Sequence, residues 1–442
     1  MAFFLFILVN AALFIRPAEI VPAWQGWEIY FYLIVTCLAF AIPDVLRHLT
    51  AEPIDKQPIT LCVFAMLVAI VIPTGLALGT AEALRGGILF AKVIAYYLLF
   101  VSLITTPERL RILLISIVVF CACVTALAVL RFHDIIQMVA IDALPDSRDD
   151  IYGGTITIMR LQGTGIFHDP NELCVLLSAM IPLCLYFLIT GSNLVLRGLC
   201  VGLMPLFSYA VMLTGSRGGF IAFAGGLGAL VWARYGWKKA AWIGALGLPV
   251  LLVLFAGRQT EISTGSGTAM SRVELWREWL TTFKESPLYG NGMTLRPEDD
   301  GQPRRPDVGK KLVAHNSYLQ SFADLGLIGG SLFVGALFIA IWSVYRVNPA
   351  ESLIVHREVR QIQPYVLASM VAYGLGMMSL SICYVIPTYL MLALSVAYTH
   401  LAHQSALMAP PPLRFDLSLL GRMAAAGVFT LFSIYVFVRF LA

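Results

Sequence analysis

The sequence predicts an all-α polytopic membrane protein, and three observations carry that prediction. Apolar residues make up 59% of the 442 positions, whereas Asp, Glu, Lys and Arg make up 13%; soluble domains carry roughly 25% charged residues. Mean hydropathy is +0.82, and the charge deficit runs the whole length of the chain. Apolar windows approaching the roughly 20 residues a bilayer requires also recur from end to end. They lie near 2–15, 27–43, 58–79, 83–104, 109–131, 171–190, 196–214, 219–234, 240–256, 317–345, 364–381, 386–401 and 421–441, which gives 12 or 13 transmembrane helices.

Local signals mark where these helices begin. The run Ala2 to Ile15 lacks the basic start and small-residue cleavage site of a signal peptide, so it is expected as the first span. Thr106-Pro107 and Asp169-Pro170 each place a capping side chain before a proline suited to the first helical position. Pro364 and Pro387 are expected near the starts of their spans. Between spans nine and ten, Ser271-Arg272-Val273-Glu274 has the form of a capping box. Leu275, Trp276, Trp279, Leu280 and Phe283 follow at helical spacing, so an amphipathic helix is expected, stopped by Ser286-Pro287 and Gly290-Asn291-Gly292. Residues 296–311 have the Pro- and charge-rich composition of a mobile surface loop. The chain thus divides into N-terminal helices (1–131), central helices with an external loop at 132–170 (132–256), a large helical loop (257–316) and C-terminal helices (317–442).

Basic residues set the sidedness, because short cytoplasmic loops are enriched in Lys and Arg. Arg47 and Lys56, Arg109 and Arg111, Arg197, Arg234 with Lys238 and Lys239, and Arg346 with Arg357 and Arg360 fall in alternate loops. The opposite loops hold only Arg16, Arg85 and Arg217 among the short ones, and the long segments 132–170 and 257–316 lie with them. The net charge of +4 therefore reports orientation, not nucleic-acid binding. All eight cysteines lie in apolar stretches with no metal-type pair, as buried hydrophobic residues do.

Four chemically capable positions return to the same outer side: Arg160, Arg217, Arg272 and His315. Arg217 sits in the turn Gly215-Ser216-Arg217-Gly218-Gly219, where glycines, a helix N-terminus and a guanidinium together suit a phosphate; snorkelling to headgroups is the plainer role. Capping explains Asp169 and Pro170 but not Arg160. Arg272 falls in the expected first turn of the loop helix, where the dipole disfavours a cation and an anionic partner would resolve the conflict. His315 has no carboxylate or cysteine at metal spacing, so a general base or a hydroxyl-orienting group is expected, imidazole titrating near neutrality. Glu298-Asp299-Asp300 beside Gly301 fits a solvated turn better than a cation site. Secondary candidates are Arg85 and Lys92 on one face of the fourth span, Trp276 beside Arg272, and Asp324 within the tenth span, intramembrane charges being functional candidates by default.

Taken together, His315-Asn316-Ser317-Tyr318-Leu319 with Asp324-Leu325-Gly326-Leu327-Ile328-Gly329, the Gly215–Gly219 turn, the Arg272-x3-Trp276 helix running to Pro287–Gly292, and Gly165-Ile166-Phe167-x2-Pro170-Asn171 resemble the O-antigen ligase superfamily. Asp324 stands where that superfamily often has Glu. The resemblance implies a C-type membrane glycosyltransferase of the bacterial inner membrane, active at the periplasmic face without a metal or other cofactor. Its donor would be a glycan on undecaprenyl diphosphate and its acceptor the lipid A–core oligosaccharide. Arg160, Arg217 and Arg272 would hold the diphosphate, and His315 would act on the acceptor hydroxyl in an inverting transfer. O-antigen polymerase is the nearest alternative within that superfamily. A polysaccharide flippase or transporter is the alternative outside it, but would need charges along a central path.

Overall fold

A computed structural model describes residues 1–138, 141–149, 155–191, 193–254, 268–293, 313–348 and 351–441. The chain runs α1 (Ala2–Ile15), α2 (Pro17–Ile20), α3 (Ile29–Ala51), α4 (Pro58–Ala77), α5 (Thr80–Leu103) and α6 (Pro107–Phe132). A hairpin follows, β1 (Leu144–Asp149) paired antiparallel with β2 (Thr155–Arg160). Then come α7 (Pro170–Thr190), α8 (Leu194–Thr214), α9 (Arg217–Tyr235), α10 (Trp237–Leu254) and α11 (Thr268–Glu285). The C-terminal part is α12 (Ser317–Arg346), α13 (Arg357–Gly376), α14 (Ile386–Ser405) and α15 (Leu417–Leu441).

Each expected span coincides with a helix. Among the described residues, eight of them (α3 to α8, α12 and α15) are long and apolar enough to cross a membrane, so the chain is a multi-pass membrane protein. The apolar window of α7 is 78% buried and those of α3 and α15 only 22%, which puts α7 at the centre and the other two at the periphery. α7 packs on α8, α9 and α13, and α13 packs on α9.

Caps start the helices where the sequence places them. The Thr106 hydroxyl accepts from the Arg109 N–H at 3.3 Å, and Asp169 Oδ1 accepts from the Asn171 N–H at 2.6 Å, with Pro107 and Pro170 opening α6 and α7. Pro387 likewise opens α14. Pro364 departs from expectation: it lies inside α13, which begins seven residues earlier in the polar stretch Arg357–Gln363. The loop helix also begins early, at Thr268, so Ser271 is not its cap and Arg272 is its fifth residue. Its apolar face is as expected: Leu275, Trp279 and Leu280 are buried against Ala314, Leu319, Ala323, Ile434 and Val438. Seven cysteines are buried, but Cys123 is exposed on α6. The 296–311 stretch, including Glu298–Asp300, lies outside the described residues.

The hairpin is the exception to an all-α chain. Its second strand reads Thr155-Ile156-Thr157-Ile158-Met159, a period-2 alternation of β-formers, and it ends on Arg160 opposite Leu144.

The tenth span is a broken helix. Gly326 has φ 66° and ψ −169°, a conformation essentially confined to glycine. The break frees backbone groups at membrane depth, which must be satisfied by protein. Pro287–Gly292 does this: the Leu327 N–H donates to the Pro287 carbonyl at 2.7 Å, and the Asn291 and Gly292 N–H groups donate to the Ala323 and Asp324 carbonyls at 3.1 and 2.9 Å. A Cβ on Gly326 would collide with the Leu288 carbonyl, and one on Gly290 with that of Asp324. The segment that stops α11 is therefore also the plug of the break in α12.

Replacing Gly326 with alanine forces this conformation on a residue with a Cβ and should cost about 1–3 kcal/mol. Melting of the detergent-solubilised protein should show a clear drop; an unchanged midpoint would mean the break is not needed.

Candidate active site

Three elements far apart in sequence each bring one arginine to the same end of the bundle. Arg160 closes the hairpin and is only 8% exposed. Its Nε donates to the Thr214 carbonyl at 2.8 Å and its Nη2 to Asn171 Oδ1 at 3.0 Å. The guanidinium thus joins the C-terminus of α8 to the first turn of α7. Charged donors of this kind contribute about 1.5–3 kcal/mol each, and the carbonyl end of α8 favours a cation.

Arg217 is the first residue of α9. The Ser216 hydroxyl caps that helix, accepting from the Gly219 N–H at 3.0 Å. The two glycines after it have a role the sequence did not indicate. A Cβ on Gly218 would run into Ser379 and one on Gly219 into Cys174. They bring the backbone close to neighbouring protein, so the glycine part of the expected phosphate cradle is taken up by packing. Arg217 keeps its place at a helix N-terminus.

Arg272 connects the group. Burial pushes its guanidinium below the usual arginine range, the Asp169 carboxylate opposes this, and the positive charges of Arg160 and Arg217 push it further down. Arg272 therefore lies within electrostatic reach of both Arg160 and Arg217. Asp169, which sequence explains fully as a helix cap, is also the carboxylate that acts on the cluster. Asn171 was legible only as part of a turn, yet it holds Arg160.

One helical turn after Arg272, on the same face, the Trp276 indole N–H donates to the Ala314 carbonyl at 3.0 Å and its ring lies 5.7 Å from Phe437. Trp276 is thus packed and hydrogen-bonded beside the residue preceding His315. His315 is half-buried and has φ 47°, an uncommon backbone state for any residue but glycine. It does not cap α12; Asn316 does, through Oδ1 to the Tyr318 and Leu319 N–H groups at 3.1 Å each. Ser317 Oγ then donates to the Leu380 carbonyl at 2.6 Å and accepts from the Ile382 N–H at 2.9 Å. Ser379, against Gly218, and Leu380, against Ser317, are consecutive, so a single segment braces both the arginine turn and the histidine turn.

The secondary candidates separate. Asp324 is 2% exposed and accepts from the Tyr384 hydroxyl at 3.2 Å. Arg85 ion-pairs with Glu82 at 3.2 Å, and the Lys92 ammonium lies 5.7 Å from the centre of the Phe31 ring. Both are exposed on α5. No group of His, Cys, Asp and Glu suited to a metal ion occurs among the described residues.

A family model described as O-antigen ligase matches residues 202–334. The matched stretch opens within α8 and closes within α12, so it contains Arg217, Arg272 and His315, while Arg160 and the hairpin precede it. No curated protein matches the chain.

Replacing Trp276 with phenylalanine keeps a ring and removes the donor to Ala314. Hydrogen exchange at residues 313–316 should accelerate, corresponding to a local loss of about 0.5–1.5 kcal/mol, while the body of α12 stays protected. Unchanged exchange there would show that α11 does not anchor the histidine turn.

Proposed function

The chain carries an O-antigen ligase domain within a multi-pass membrane protein, and we propose that it transfers a glycan from undecaprenyl diphosphate to a sugar hydroxyl of lipid A–core. The bundle end carrying the arginines faces the periplasm in this scheme, as the basic loops at the other end require, and the membrane is the bacterial inner membrane.

Two observations support this proposal: Arg160 is bonded to the Thr214 carbonyl, three residues before Arg217, and Arg272 lies within electrostatic reach of both arginines. Such a cluster suits a group with two or more negative charges, as a diphosphate has. The leaving diphosphate gains charge as the glycosidic C–O bond breaks, and fixed guanidinium groups stabilise it as it forms. The acceptor hydroxyl attacks the anomeric carbon from the opposite face, inverting its configuration, and its proton passes to the His315 imidazole. Undecaprenyl diphosphate leaves. Ser317 and Asn316 brace the backbone beside His315, which itself is left-handed. The scheme requires no metal, the arginines supplying the positive charge.

The test is transfer in vitro with purified protein, lipid-linked glycan and lipid A–core. His315→Ala should lower turnover about 100-fold or more with donor binding retained. Arg217→Ala should lower turnover by about 100- to 1,000-fold and weaken donor binding as well. Full transfer by His315→Ala would remove the base assignment. Glycan joining donor to donor, with lipid A–core ignored, would make the enzyme a polymerase acting through the same site.

A further inference from the structure

At the opposite end of the bundle from the arginine cluster lies a cavity of about 550 Å³. Its wall includes Arg234, Arg346, Arg360, Glu351, Tyr345 and Tyr365. The two sites are far apart: α9 places Arg217 at its start and Arg234 in its last turn, about 26 Å away at the α-helical rise. α12 likewise runs from beside His315 to Arg346.

The chemistry of this cavity is specific. Three guanidinium groups face one carboxylate, and that carboxylate, Glu351, accepts a hydrogen bond from Asn348 at 3.0 Å. The Arg234 guanidinium donates to the Tyr365 hydroxyl and lies 5.8 Å from the centre of that ring. Arg234 is exposed, but its guanidinium is held by Tyr365, which is only 1% exposed. The three arginines come from three helices or their ends (α9, α12 and α13), so their convergence is a property of the fold.

A soluble anion would need only this basket, but the structure offers more. A file of rings leads from the cavity along α12: Tyr345 to Trp342 at 5.7 Å, and Trp342 to Phe338 at 6.2 Å in a stacked pair. Trp232 of α9 stacks on Tyr345 at 5.5 Å. Trp232 and Tyr345 are 44% and 43% exposed. Exposed Trp and Tyr rings at a membrane border lie at headgroup level, and here they border a cationic basket between helices, the arrangement that takes anionic lipid headgroups.

We propose that this cavity binds the phosphate of an anionic lipid headgroup in the leaflet opposite the glycan site, with the acyl chains along the Phe338–Trp342–Tyr345–Trp232 file. Free phosphate shares the headgroup's chemistry but has no use for the aromatic file.

Native mass spectrometry of the full-length protein in detergent decides the matter. It is titrated with phosphatidylglycerol, with phosphatidylcholine, or with phosphatidylglycerol in the presence of 10-fold excess inorganic phosphate, roughly ten times the lipid. Wild type should retain phosphatidylglycerol in preference to phosphatidylcholine and should not lose it to inorganic phosphate. Arg346→Gln/Arg360→Gln should bind phosphatidylglycerol about tenfold more weakly. Arg197→Gln, a basic residue at the same end but outside the cavity, should bind it as wild type does. Equal retention of the two lipids, displacement by inorganic phosphate, wild-type binding by the double variant, or an equal loss with Arg197→Gln would each overturn the proposal. If the double variant does not fold, the three wild-type titrations still decide it.

Discussion

Holding Arg272 within reach of two further guanidinium groups is the constraint on which the proposed site depends. Arg272 is repelled by the other two, and burial makes that repulsion harder to screen. The strain is visible in Arg272, held below the usual arginine range by burial and by the charges of Arg160 and Arg217. The fold opposes it with oriented dipoles and the Asp169 carboxylate. Arg160 is fixed by the Thr214 carbonyl and by Asn171, and Asp169 acts on Arg272 from the cap of α7. In the proposed reaction, charge developing on the leaving diphosphate would offset that repulsion.

The scaffold transmits that positioning through few contacts. Ser379 packs on the arginine turn at Gly218, while Leu380 and Ile382 bond the histidine turn through Ser317. The loop helix supplies a second brace, with Arg272 in the cluster and Trp276 bonded to Ala314 a turn later. Its far end plugs the break in α12 through Pro287–Gly292. One helix thus links the charge cluster, the histidine turn and the broken span.

Much of this was legible in the chain. The spans follow from apolar run lengths, the starts of α6 and α7 from Thr106-Pro107 and Asp169-Pro170, and the buried face of α11 from its helical spacing. What escaped did so for physical reasons. The hairpin ending on Arg160 is short and falls within 132–170, which reads from sequence only as an external loop. The break at Gly326 is invisible to hydropathy, because it lies inside Ser317–Arg346, a run apolar enough to be a span; the required φ exists only in three dimensions. Gly218 and Gly219 read as a phosphate cradle because sequence does not reveal that Ser379 and Cys174 fill the space. Pro364 was displaced from a helix start because α13 extends through polar residues that a hydropathy window discards. The bonds of Ser317 to Leu380 and Ile382 span more than sixty residues, roughly the range at which local pattern carries no information.

The most direct measurement is a double-mutant cycle on binding of lipid-linked diphosphate, with Arg217→Ala, Arg272→Ala and the pair. If both guanidinium groups act on one diphosphate, the two losses should be non-additive by about 1 kcal/mol or more. Losses that sum to within about 0.5 kcal/mol, as those of distant sites do, would show that the two arginines serve separate places and that the shared anion site does not exist.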